Sequence, residues 1–144
     1  MAKRYLWILL FFALCQKEEI GLKDPYVHLP PTGSQLTAAF LTIQNKSREN
    51  LILEKAYAEI AELTELHETY LEENMARMRA IPNLVISPSG ELQLKPGSYH
   101  IMLINLKREL KAGEKIPIEL YFNRGKRVVL FEVKEASAMM HAQP

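Results

Sequence analysis

The chain has 144 residues, 48% of them hydrophobic and 24% charged, with a formal net charge of +1. That is enough chain for one domain with a substantial core, and the near-neutral balance excludes a nucleic-acid binder. Lysines and arginines are interspersed with glutamates, so no strong electrostatic steering is implied, and no repeat or low-complexity segment divides the chain.

Residues 1–15 read as an export signal. Lys3 and Arg4 make a basic start, and Tyr5 to Leu14 is an apolar run about half as long as the roughly 20 residues that a membrane-spanning helix requires. Cys15, the only cysteine, stands where an exported lipoprotein carries its acylated residue, although Leu14 is larger than the residue usual before that position. Acylation gives a membrane tether; ordinary cleavage removes Cys15. On either route the mature domain, residues 16–135, has no free thiol and no disulfide.

Ile20 to Asp24 is expected to be a first strand and Pro25 to Ser34 a loop, with His28 beside it as a solvated or edge histidine. Leu36 to Gln44 carries β-branched and aromatic residues up to the turn at Asn45-Lys46-Ser47, and Leu51 to Ile60 is expected to return as its antiparallel neighbour. The stretch from Ala56 to Arg79 is ambiguous, because its alanines, leucines, glutamates and methionines favour a helix. A helix would hold His67 and Met78 about 16 Å apart at 1.5 Å of rise per residue. On a hairpin looping at Leu71 to Asn74, Tyr70 pairs with Met75 and His67 with Met78, and directly opposed Cβ atoms lie roughly 5 Å apart. If these residues form one site, the hairpin is required.

Leu84 to Ile86 and Glu91 to Leu94 are short strands separated by the Ser87-Pro88-Ser89-Gly90 turn, and Pro96-Gly97 suits a type II turn before a strand at Tyr99 to Ile104. In that strand His100 and Met102 share one face, with Tyr99, Ile101 and Leu103 on the other. After a charged loop at Leu106 to Glu114, Ile116 to Phe122 and Arg127 to Lys134 form a last hairpin. Many short strands with frequent turns predict an all-β sandwich. Residues 136–144 are expected to form a flexible tail, whose Met139, Met140 and His141 offer either nothing or a second copper-gathering group.

His67, Met78, His100 and Met102 thus form a pattern with ten, twenty-one and one residues between successive members. Two imidazoles and two thioethers suit Cu(I), whereas magnesium and calcium prefer oxygen and zinc prefers thiolate, imidazole or carboxylate. Met75 is either an apolar lip of this site or a substitute ligand. A blue-copper site needs a cysteine thiolate that the domain lacks, and no H-E-x-x-H cluster suggests a zinc hydrolase. Glu68, next to His67 on a strand, points to the opposite face and is no acid or base for the site. The metal-free alternative, an envelope interaction module with the four residues as ordinary core and surface, stays open.

The four residues and their contexts, Glu65-Leu66-His67-Glu68, Met75-Ala76-Arg77-Met78-Arg79 and Leu94-Lys95-Pro96-Gly97-Ser98-Tyr99-His100-Ile101-Met102-Leu103, resemble the PCu(A)C family of periplasmic copper chaperones over Asp24 to Val133. The resemblance implies a cupredoxin-like Greek-key β-sandwich that is not an enzyme. It would be a periplasmic monomer, lipid-anchored if Cys15 is acylated, that binds Cu(I) through those four side chains. It would pass the ion to an acceptor such as subunit II of cytochrome c oxidase, or sequester it for resistance. The chain departs from the family pattern in lacking a glycine at Glu72-Glu73-Asn74 and in carrying Ser98 where a second glycine is usual.

Overall fold

A computed structural model describes residues 18–136; the proposed export signal with Cys15 and the residues Met139, Met140 and His141 lie outside them. Ten strands follow in order: β1 (Ile20–His28), β2 (Leu36–Asn45), β3 (Leu51–Tyr57), β4 (Ala61–Glu72), β5 (Met75–Ala80), β6 (Leu84–Ile86), β7 (Glu91–Leu94), β8 (Tyr99–Leu106), β9 (Lys115–Phe122) and β10 (Gly125–Lys134). They hydrogen-bond in the order β5-β4-β8-β2-β1-β10-β9-β3-β6, with β7 beside the second half of β2. The pairing of β1 with β10 is parallel and the others are antiparallel.

Alternation along the strands makes the core. Ile116, Ile118, Leu120 and Phe122 of β9 turn inward, while Ile101 and Leu103 of β8 and Leu66 of β4 do so from the other half of the sandwich. Phe131, Leu41, Ile43, Leu51 and Leu53 close the interior. Full burial of each such side chain contributes about 1.5–3 kcal/mol, ample to override a local preference for helix at Ala56 to Arg79. With Leu66 and Ile101 turned to the core, His67 and His100 face the other side of the sheet.

Three expectations are corrected. First, β1 does not stop at Asp24: a bulge with Asp24 at φ 50° shifts the β1/β2 register between Lys23 and Tyr26, and the strand continues to His28. Pro25 is tolerated because a bulge has no ladder bond for it to donate. Second, β3 is not the neighbour of β2. It pairs with β9 and β6, because the buried Asn45 amide donates to the carbonyls of Glu49, Ile86 and Ser87 and fixes residues 46–50 as an arch between the two halves. Third, the β4/β5 hairpin exists but closes on the two-residue turn Glu73-Asn74, the second half of the expected loop, which shifts each cross-strand partner by two residues. His67 therefore opposes Ala80, and Thr69 opposes Met78.

The cause of that shift is the turn itself. Glu73 and Asn74 both take positive φ, 49° and 64°, as a two-residue type I′ turn requires. Because the shift is by two residues, the side-chain faces are unchanged and Met78 stays on the face of His67. Changing Glu73→Asn together with Asn74→Gly should stabilise the protein by about 1 kcal/mol by relieving the left-handed strain, read as a rise in the urea midpoint at unchanged slope. A lower midpoint would show that the turn is held by something other than its own backbone preference.

Candidate metal centre

The hairpin and β8 bring three of the four expected residues to one cleft of about 340 Å³, lined by Met78, His100 and Met102 together with Thr69, Phe40 and the Pro96-Gly97 turn. Gly97 has φ +79° and Ser98 N donates to the Lys95 carbonyl, the expected type II reversal. The fourth residue, His67, is directly opposite His100 in the β4/β8 ladder, their ring centroids 5.7 Å apart and their planes at 55°. One ion at about 2 Å from a nitrogen of each ring can bridge such a span.

Hydrogen bonding sets the tautomers. His100 Nδ1 lies 3.2 Å from the Ser98 carbonyl oxygen, which can only accept, so Nδ1 carries the proton and Nε2 keeps its lone pair. His67 Nε2 lies 2.7 Å from Glu65 Oε2 and donates to it, leaving the lone pair on Nδ1. His67 Nδ1 and His100 Nε2 are both buried and have no hydrogen-bond partner. A buried unpaired nitrogen costs roughly 1–3 kcal/mol, and two of them on facing rings fit a metal ion better than a satisfied core. Glu65 and the Ser98 carbonyl orient the rings as outer partners of metal-binding histidines do. Burial pushes the His100 imidazole below its ordinary range; the Ser98 bond opposes this and the neighbouring His67 adds to it.

Two thioethers lie beside the rings. Met102 is half-buried opposite Glu65 on β8, and Met78, 59% exposed on β5, stands at the open side of the cleft. Among the described residues no three His, Cys, Asp or Glu side chains cluster as a metal cage, so the arrangement depends on its thioethers. Met75 alternates with Met78 along β5 and lies on the other face, with Arg77. Glu68 also faces away and pairs with Arg79 at 2.5 Å.

Two neighbours of these residues were not foreseen from the sequence. Glu65 was legible in principle, since residues two apart on a strand share a face. His28 enters the cleft only because β1 bulges and continues past Pro25.

Residues 20–133 match the model of the family described as "Putative lipoprotein LpqE-like". The chain belongs to this LpqE-like family. A curated relative, "Putative lipoprotein Lxx21020" of Leifsonia xyli subsp. xyli, is 34% identical over 110 residues, 76% of this chain; the match spans 66% of that protein's length, just under two thirds. The solution structure of Cu(I)-bound DR1885 from Deinococcus radiodurans is 34% identical, with a TM-score of 0.64 over 81% of this chain and 77% of that one. The copper-bound PCuAC domain of PmoF2 superposes with a TM-score of 0.70 over 81% of this chain and 93% of that domain at 14% identity. The LpqE-like chain therefore has the PCuAC fold, as its sequence led one to expect. Among its described residues no helix is long and apolar enough to cross a membrane.

Proposed function

We propose that this LpqE-like protein is an exported copper chaperone that binds one Cu(I) through His67 Nδ1, His100 Nε2, Met78 and Met102 and delivers it to an acceptor protein. The observation that carries this is the pair of buried, unpartnered imidazole nitrogens on facing rings, beside two thioethers at the mouth of one cleft. Two neutral nitrogens and two soft sulfurs favour Cu(I) over zinc. The exposed Met78 leaves the ion reachable, and the lack of thiolates keeps it releasable. The likeness to Cu(I)-bound DR1885 at 34% identity supports the same cargo.

Delivery to the copper centre of cytochrome c oxidase and anchoring of a periplasmic domain through an acylated Cys15 complete the reading. The family's description as lipoproteins favours the anchor. Titration with copper under reducing conditions should give one ion per chain, and the loaded protein should transfer it to a purified oxidase copper domain. Unchanged Cu(I) affinity after replacing all four residues with alanine would overturn the proposal. Mass spectrometry of the mature N-terminus tests the anchor: an acylated Cys15 supports it, and a chain beginning after Cys15 removes it.

A further inference from the structure

The outer face of the sheet carries two parallel rows of side chains across β4, β8, β2 and β1. One row runs from His67 to His100, Phe40 and Tyr26; the other from Glu65 to Met102, Ala38 and His28. In the first row Phe40 fills the space beyond His100, with ring centroids 6.3 Å apart. In the second row the corresponding residue is Ala38, and its methyl group leaves the sheet open between Met102 and His28. All three line the cleft. Two strand spacings put the backbones of Met102 and His28 roughly 10 Å apart, a gap that a long flexible thioether and an imidazole can span toward a shared ion.

His28 is held as a donor would be. Its ring packs 4.8 Å from Phe40 and 5.5 Å from Tyr26, which fixes its plane, and the Thr37 hydroxyl donates to its backbone carbonyl. Neither ring nitrogen has a hydrogen-bond or ion-pair partner among the described residues, and burial favours the neutral ring, the form that can ligate. An apolar ring would pack against Phe40 and Tyr26 equally well, so packing alone gives no reason for nitrogen at this position.

We propose that His28 is a further metal donor, an outer imidazole that takes the ion from the inner histidines across the opening above Ala38, with Met102 bonded to the ion throughout. This rests on the Cu(I) reading of the cleft. The step is a ligand exchange: a bond from copper to His28 nitrogen forms as one to His67 or His100 breaks. No electron moves, every imidazole stays neutral, and the ion reaches the rim of the cleft still as Cu(I). An acceptor can then displace His28 without reaching the buried pair.

Ring-nitrogen NMR of the full chain during titration with Ag(I), a redox-silent stand-in for Cu(I), tests this directly. The signals of His67 and His100 should shift, and a His28 ring nitrogen should shift or broaden with them before one equivalent is reached. In parallel, His28→Phe keeps the ring packing and removes the nitrogens. Transfer of Cu(I) to a competing chelator should slow about tenfold, a larger effect than the accompanying fall in Cu(I) affinity, and an unchanged transfer rate overturns the outer donor. A His28 signal that stays fixed while those of His67 and His100 move overturns the outer donor and leaves the four-donor site standing. If none of the three moves, the four-donor reading fails with it.

Discussion

Replacing Met78 and Met102 together with leucine is expected to lower the affinity for Cu(I) by about a hundredfold or more, with a far smaller loss for Cu(II). Leucine preserves apolar volume while removing sulfur, so the change tests ligation rather than packing. Met78 is 59% exposed, and the cost of altering it to the stability of the apo protein should stay within about 0.5 kcal/mol. The two imidazoles that remain still offer nitrogen to Cu(II), whereas Cu(I) loses both soft donors. Competition with a chromogenic Cu(I) chelator measures the difference. An undiminished Cu(I) affinity in the leucine pair would mean that the thioethers are surface residues and nothing more.

His100→Leu should move stability and binding in opposite directions. His100 is only 3% exposed and its Nε2 is unpaired, so leucine removes an unsatisfied buried group and should stabilise the apo protein by about 1–2 kcal/mol. The same change deletes one of the two inner nitrogen donors and should weaken Cu(I) by about a hundredfold. A gain of stability with a loss of binding is the mark of a residue kept for its ligand. Loss of stability with copper binding intact would instead identify His100 as a satisfied core histidine.

The pH dependence of the apo protein follows from the same burial. The folded His100 titrates below its ordinary value of 6.5, which the unfolded chain retains. As pH falls through 6.5 the unfolded state takes up its proton first, so this contribution to stability is complete above that pH and is lost as pH drops toward the folded value. Denaturant titrations between neutral and mildly acidic pH should show the decline in the parent protein and a shallower one in His100→Leu. An equal slope in the two would place the effect elsewhere.

Much of this protein was determined by its sequence alone. Alternating apolar residues such as Ile116, Ile118 and Leu120, and turn signals such as Pro96-Gly97, are local chemistry, and they specify strands and reversals wherever they occur. The period of two likewise put His100 and Met102 on one face before any partner was known. The hairpin at Ala61 to Ala80 was legible only by requiring His67 and Met78 to meet, because its composition favours helix, and its register was missed by two residues. The tertiary structure decided what local chemistry leaves free. Tolerance of positive φ at Glu73 and Asn74 set the turn, the bulge at Asp24-Pro25 carried β1 on to deliver His28, and pairing of β4 with β8 brought His67 against His100. The bulge and the β4/β8 pairing depend on contacts between residues far apart in the chain, whose energies come from burial and ladder hydrogen bonds that exist only once the sheet is assembled.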